Sequence, residues 1–418
     1  MTAHVIVIGA GAAGSMAAIF ASQAGARTTL IERTRDGGRK ILISGGGRCN
    51  VLPSRVDESR FVTDSSPNLL RKMVRAWPLA EQRVFFEETL GIPLEEEVES
   101  AKLFPASHKA RDVRDGLLQY ARSVGVQMVM ETRVTGLTPT ASGWEVALDN
   151  APPLHADAVI VATGGLSVPN TGSDGSGLNM LAQLGHTMHP SYAALTPLTA
   201  TAPDFNALSG ISLSVGLTAR SAAHQAQANG GFLFTHHGYS GPAPLNVSHV
   251  VVRARAAGIP ATVQVQWTAL DDAAWEQALA PNGARTVTGA LRAELPDRLA
   301  TVLLAHADVP PTRTLAELRR EERRRLIDVL VRGPLPWHGD EGYKKAEVMG
   351  GGVALSEVHA RTMESKRHAG LFLCGEVLDA FGPICGYNFL WAWSTGRAAG
   401  LGAAAHQHVE PETSRAPN

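Results

Sequence analysis

The sequence predicts an α/β fold that opens on a βαβ unit, passes into a mainly β stretch and a helical stretch, and returns to strand and helix near its end. Three observations predict it. The β-branched run His4 to Ile8 meets a glycine turn, Gly9 to Gly14, and a helix-forming stretch. The apolar run Ala158 to Ala162 ends in Thr163-Gly164-Gly165, the pattern of a buried parallel strand entering a tight turn. From Tyr192 to Trp267 the pattern becomes short alternating runs bounded by turn residues.

Taken in order, His4 to Ile8 reads as a strand, Ser15 to Ala24 as a helix stopped by Gly25, and Arg27 to Glu32 as the second strand. Leu69 to Leu90 has one continuous helical pattern. Asp112 to Val124 is an amphipathic helix with Val113, Leu117, Leu118 and Ala121 on its apolar side. Gln127 to Met130, Arg133 to Leu137 and Trp144 to Leu148 follow as short strands. Ile211 to Leu217, Gly231 to Phe234 and Ala261 to Trp267 are strands of the β stretch. Asp271 to Arg332 is helical, broken at Pro281, Pro296 and Pro310-Pro311. Gly350 to Val358 and Gly370 to Gly375 are strand again, and Gly386 to Ala404 is a long apolar helix.

The 418 residues suit two or three domains. A formal net charge of −1 gives no overall pull toward nucleic acid or anionic membrane. Three cysteines, Cys49, Cys374 and Cys385, make neither a disulfide framework nor a zinc spacing, so no metal is expected and a reducing cytoplasm fits. The first 24 residues lack the basic start of a secretory signal, and no apolar run is long enough for a bilayer. Residues 406–418 read as a disordered tail. Arg319, Arg320, Arg323, Arg324 and Arg325 are interleaved with Glu317, Glu321 and Glu322, which suits an ion-paired helix face better than a nucleic-acid surface.

The chemistry starts at Gly9-x-Gly11-x-x-Gly14, between strand and helix, with Glu32 closing the next strand. Gly9 permits the turn, Gly11 lets backbone approach a pyrophosphate, and Gly14 lets the helix pack close. Ala12 and Ala13 lie in the turn before the helix whose free N–H groups favour an anion. Glu32, with Arg33 beside it, suits the adenosine ribose hydroxyls and repels a 2′-phosphate. Later loops favour FAD over a nicotinamide. Lys40 is a charge partner for pyrophosphate. Ser44-Gly45-Gly46-Gly47-Arg48-Cys49-Asn50 offers successive backbone donors, a cationic fork and an amide. Ala162-Thr163-Gly164 lies at a strand's carboxyl end. Gly375-Glu376, Asp379 and Gly386-Tyr387-Asn388-Phe389 precede and open the last helix, whose N-terminus would stabilise the negative charge that reduction brings to a flavin pyrimidine.

The string Gly38 to Asn50, GRKILISGGGRCN, resembles the signature of the bacterial YhiN/BaiN-like flavoproteins, the NAD(P)/FAD-dependent, aminoacetone-oxidase-like oxidoreductases. Further matches are Leu103 to Ala110, Pro169 to Ser173, Phe234 to Pro242, Gly350 to Val353, Thr362 to Lys366 and Gly386 to Asn388, so the resemblance runs to about Ala404. It implies a glutathione-reductase-type FAD-binding Rossmann fold split by a β-barrel-like insertion with a helical subdomain. The expected division is 1–190 with 366–405 for FAD, 191–270 with 331–365 for the β-rich insertion, and 271–330 for the helices. The resemblance carries the FAD contacts onto the first glycine turn, Glu32, the loop Lys40 to Asn50, Ala162 to Gly164, Gly375-Glu376 and Gly386 to Phe389, and adds the backbone of Val134 against adenine. Val51-Leu52-Pro53, Cys385 before Gly386, and Leu390 depart from the family pattern, which bears on the substrate more than on FAD.

A single fingerprint implies no dedicated nicotinamide domain, so NAD(P)H would visit only transiently as reductant. The leading expectation is an FAD-dependent oxidoreductase passing hydride at flavin N5 to or from a small organic substrate bound between the FAD and inserted domains. His108, His236, His237, Tyr239 and Tyr387 are candidate proton donors; none is singled out as catalytic. An RNA-modifying flavoprotein and a flavin-binding redox sensor are the alternatives. Cys49 and Cys385 are read as separate small residues lining a pocket; a redox-active pair is the alternative, and it requires Cα atoms within about 7 Å. Substrate identity and oligomeric state are left open.

Overall fold

The computed structural model describes residues 2–406; apart from His406, the tail expected over 406–418 lies outside the described residues. The described residues divide into two compact units, 2–191 with 348–406, and 192–347.

The first unit is built on β1 (His4–Ile8), α1 (Ala12–Gln23), β2 (Arg27–Ile31), α2 (Ala110–Ser123), β3 (Gln127–Val129), β4 (Ala158–Val161), β5 (Leu371–Leu373) and α3 (Tyr387–Ala405). The five strands form one sheet in the order β5-β4-β1-β2-β3, every pairing parallel. Val5, Ile6, Val7 and all of β4 and β5 are buried. Strands covered on both faces carry unbroken apolar runs, which is how they read in sequence. The chain leaves β1 toward β2 on one side while β4 lies on the other, so the strand order reverses at β1/β4. The carboxyl ends there open a crevice of the kind in which α/β sheets hold ligands.

α3 lies directly on α1. A Cβ on Gly396 would meet the Ala13 carbonyl oxygen at 2.4 Å, and one on Gly400 the Ala17 oxygen at 2.3 Å. The two glycines, four residues apart, share one face of α3, so the helices touch backbone to backbone. Cover from α1, from the sheet strands and from helix Pro67–Arg75 explains why α3 is apolar nearly all round.

The helix expected over Leu69 to Leu90 is broken. It forms as Pro67–Arg75 and Leu79–Val84, followed by a wider turn at Phe85–Thr89. Pro78 is extended (ψ 147°) and starts the second piece; its ring disfavours a helical Trp77 and it has no N–H to continue the ladder. The strand expected over Gly350 to Val358 is Val348–Val353, ended by a 3₁₀ turn at Leu355–Glu357.

The second unit is a seven-stranded sheet in the order Gly333–Pro334, Ala261–Gln266, Ser212–Ser221, Gln225–Thr235, Gly238–Ser240, Leu198–Thr199, Gly339–Asp340. All its pairings are antiparallel. Helix Pro242–Ala256 is largely buried. The helices between 272 and 332 have no separate core: Trp275, Leu299, Leu303, Leu326 and Leu330 join Phe232, Phe234 and Trp267 in one apolar cluster. The division expected for 271–330 is therefore corrected to one shared core. Residues 348–365, expected in the insertion, lie in the first unit. None of the helices among the described residues is long and apolar enough to cross a membrane.

Candidate cofactor site

The glycine corner after β1 has three distinct steric roles. Gly9 has φ +102°, and a Cβ there would press on the Ala162 carbonyl oxygen at 2.7 Å. A Cβ on Gly14 would fall 1.8 Å from the Gly9 oxygen, so α1 packs against its own turn. Gly11 is different: nothing lies within 4 Å of where its Cβ would be. No side chain caps α1. The first-turn N–H groups have no partner within the helix, and the space beside Gly11 is open. That space has the room and the donors a diphosphate needs.

Glu32 follows β2 at the same edge and is buried. Its Oε2 accepts the Ala10 N–H at 2.8 Å, and its Oε1 accepts the Thr34 N–H at 2.8 Å and the Thr34 hydroxyl at 2.7 Å. The carboxylate is thereby fixed beside the glycine corner, where it can hold a ribose. Arg33 is ion-paired with Asp174. Ala162 follows β4 and is buried, Thr163 is half-buried, and Gly164 turns with φ +73°. Val134 is buried at the start of strand Val134–Thr140.

The loop after β2 differs in part from expectation. Gly45, Gly46 and Gly47 all have positive φ (55°, 68° and 84°), a left-handed run that favours glycine. Ser44 Oγ is committed to the Ile41 carbonyl at 2.7 Å. Arg48 was expected to offer its fork to an anion. Instead it donates to Glu97 Oε1 at 2.9 Å and stacks its guanidinium 4.1 Å from the Phe104 ring centroid. Asn50 is half-buried. Cys49 is fully buried, and burial pushes its thiol up to about 12. A thiol so rarely ionised is a poor redox nucleophile.

At β5 the chain turns through Gly375, whose N–H donates to Thr395 Oγ1 at 3.0 Å. Glu376 Oε2 accepts from Lys40 Nζ at 2.6 Å, and Oε1 from Ser167 Oγ and the Met349 N–H, both at 2.7 Å. Burial pushes Glu376 up, but Lys40, Ser167 and the Met349 N–H outweigh it and hold the carboxyl below its ordinary range. Lys40, expected to meet pyrophosphate, is thus bonded to another expected contact residue. Asp379 Oδ2 accepts four bonds of 2.9 Å, from the Thr63 hydroxyl, the Asp64 and Ser65 N–H groups and the Ser65 hydroxyl. Gly386, φ +84°, starts α3; its Cβ would strike Leu52 backbone at 2.4 Å, so the departing Val51-Leu52-Pro53 segment forms a wall of this corner. Tyr387 Oη accepts the Asp57 N–H at 3.1 Å, Asn388 bonds both backbone groups of Gly382 at 2.9 Å, and Phe389 stacks on Trp393.

Thr63, Ser65, Ser167 and Met349 escaped the sequence reading. They lie 314–316, 209 and 27 residues from the carboxylates they bind, and no local pattern signals such pairs. Of the candidate proton donors, Tyr239 is corrected. It is buried among Phe205, Phe232 and Phe234, its hydroxyl has no partner, and burial pushes its pKa far up, making it a poorer acid. His236 and His237 are exposed in the turn between two strands, and His108 is exposed 3.8 Å from Glu95.

Residues 3–402 match the model of the HI0933-like protein Rossmann domain. The chain is 31% identical over 401 residues to a ribosomal RNA dihydrouridine synthase of Escherichia coli K12, spanning 93% of this chain and 95% of that one. It is 30% identical over 406 residues to the 3-dehydro-bile acid delta(4,6)-reductase of Clostridium scindens, spanning 95% and 98%. The solved 3-ketosteroid delta1-dehydrogenase of Sterolibacterium denitrificans, 11% identical, matches over 97% of this chain and all of that one with a TM-score of 0.53, a likeness of fold alone. The chain belongs to the HI0933-like Rossmann family and is an FAD-dependent oxidoreductase.

Proposed function

We propose that the chain reduces a carbon–carbon double bond conjugated to a carbonyl, with a uridine of ribosomal RNA as substrate. The similarity to the dihydrouridine synthase, over nearly the whole of both chains, carries this reading. Making dihydrouridine from uridine saturates a ring C=C conjugated to a carbonyl, and a bile acid delta(4,6)-reductase acts on double bonds of the same electronic type. FAD, when bound and reduced, supplies the hydride at N5. The hydride goes to the carbon remote from the carbonyl and a proton to its neighbour, so two electrons leave the cofactor per product. NAD(P)H is the proposed transient reductant that returns them. The all-antiparallel second sheet has no βαβ crossover of the kind that would hold the nicotinamide permanently.

In this reading the chain's residues bind and orient. The N–H groups at Gly11 to Gly14 hold the diphosphate and Glu32 the ribose. Ala162 to Gly164 back the crevice. Gly45 to Gly47, Gly375 and the start of α3 face the flavin end. Three cysteines, too few and too scattered for a disulfide framework, suit a reducing cytoplasm.

The second reading, a small unsaturated ketone as substrate, is favoured by the 30% identity to the bile acid reductase. One experiment separates the two. FAD-loaded protein is photoreduced without oxygen and mixed with unmodified ribosomal RNA or with a conjugated steroid enone. Reoxidation by the RNA, with dihydrouridine found by mass spectrometry of its nucleosides, is the expected result. Reoxidation by the enone alone establishes the second reading, and by neither refutes both.

A further inference from the structure

Lys40, Ser167 and Glu376 form a closed ring of polar contacts at the carboxyl edge of the sheet. Lys40 Nζ donates to Glu376 Oε2 at 2.6 Å and to Ser167 Oγ at 2.7 Å, and Ser167 Oγ donates to Glu376 Oε1 at 2.7 Å. The Met349 N–H closes on Oε1 at 2.7 Å, and the Gly165 N–H reaches Oε2 at 3.4 Å. The three side chains come from three segments: the loop after β2, the turn after β4 and the turn after β5. Ser167 is fully buried. The Lys40 and Glu376 side chains keep 28% and 18% of their exposure, so each retains one open side.

An ammonium carries three N–H donors, and this ring uses two of them. The carboxylate is held ionised despite its burial. The chain therefore keeps one full positive and one full negative charge next to the β1/β4 crevice. In a site partly closed to water such charges act on a neighbouring group far more strongly than in bulk solvent, and with opposite signs. A buried ion pair is weak evidence for a purely structural role, because well-packed apolar side chains often replace the whole pair without loss of stability.

We propose that this ion pair sets the reduction potential of the bound FAD. Lys40 raises it, by favouring the negative charge that reduction adds; Glu376 holds it down; Ser167 fixes the geometry between them. The inference rests on FAD occupying the crevice as proposed above. It makes Lys40 and Glu376 tuning groups, acting through charge and not through the transfer step itself.

The test is the midpoint potential of the reconstituted protein, measured by anaerobic titration against a reference dye, with FAD retention measured in parallel. Lys40→Met is expected to shift the reduction equilibrium about tenfold toward the oxidised form, and Glu376→Gln about tenfold toward the reduced form, each roughly 30 mV for a two-electron couple. The double variant returns close to wild type. A pair that merely braces the loop would move both variants the same way or leave both unmoved, and either result overturns the proposal. If Lys40→Met fails to retain FAD, the near-isosteric Glu376→Gln decides alone: no upward shift overturns it. Wild-type protein that binds no FAD refutes the placement of the cofactor itself, an outcome visible before any potential is read.

Discussion

Substituting Gly11 and Gly14 separately divides the fold from the cofactor, although both belong to one motif. Gly11 sits at φ −79°, ψ −167°, a conformation any residue adopts, and its Cβ would meet nothing within 4 Å. Gly11→Ala should leave the apoprotein within about 1 kcal/mol of wild type, because the lost preference for Gly over Ala at a helix start is offset by the reduced entropy of the unfolded chain. The added methyl occupies the space in front of α1, so FAD binding should weaken by at least about tenfold, which is roughly 1.4 kcal/mol. Gly14→Ala puts a carbon 1.8 Å from the Gly9 oxygen. Backbone must move there, and overpacking of this kind costs about 3 kcal/mol. In a unit of this size that lowers the melting temperature by roughly 6–12 °C. The assays are apoprotein melting by circular dichroism and FAD titration by flavin fluorescence quenching. Gly11→Ala that binds FAD as tightly as wild type refutes the diphosphate placement. Gly14→Ala that melts with wild type refutes the steric reading of the corner.

Three further outcomes follow from side chains already described. Tyr239→Phe removes a buried hydroxyl that has no partner; it should leave turnover unchanged and stability equal or higher by up to about 1 kcal/mol in urea unfolding, whereas a large loss of turnover would restore Tyr239 as proton donor. Asp379→Asn halves the acceptor capacity that holds Thr63 to Ser65 and should cost about 2–4 kcal/mol in the same assay, with faster amide exchange at Asp64 and Ser65; unchanged exchange there would refute the clamp. Glu376 has a folded pKa below its ordinary 4.5, so its contribution is present above that value and lost as pH falls through the lower folded value; urea midpoints should fall on acidification below about pH 4.5, and Glu376→Gln should flatten that fall.

What was legible in the sequence was what short-range geometry fixes. Gly9, Gly11 and Gly14 announce the crevice because strand, turn and helix start lie within a dozen residues and only glycine meets two of the three steric demands. The buried strands announce themselves as unbroken apolar runs. The helix over Leu69 to Leu90 misled because Leu70, Val74, Phe85 and Phe86 keep an apolar pattern through Pro78, and backbone chemistry overrode the pattern. Arg48 misled differently. An arginine in a glycine loop suits an anion, but Glu97 and the Phe104 ring claim it, and neither is near in sequence.

The arginine run at 319–325 shows why the substrate stayed illegible. Two of its five arginines are engaged locally: Arg323 faces Glu276 at 3.6 Å, and Arg325 donates to the Ala307 carbonyl at 3.1 Å and faces Asp308 at 3.7 Å, while Glu322 is taken by Arg313 at 3.0 Å. These bonds brace helix Arg320–Arg332 against its neighbours in the second unit, whose core needs Leu326 and Leu330 inside. A phosphate backbone is recognised by cations that can give up counterions, and arginines already paired with carboxylates have few to give. Binding of ribosomal RNA should therefore survive Arg323→Gln and Arg325→Gln with the slope of affinity against salt unchanged. A slope that falls by about one unit per arginine would place the RNA on this helix after all.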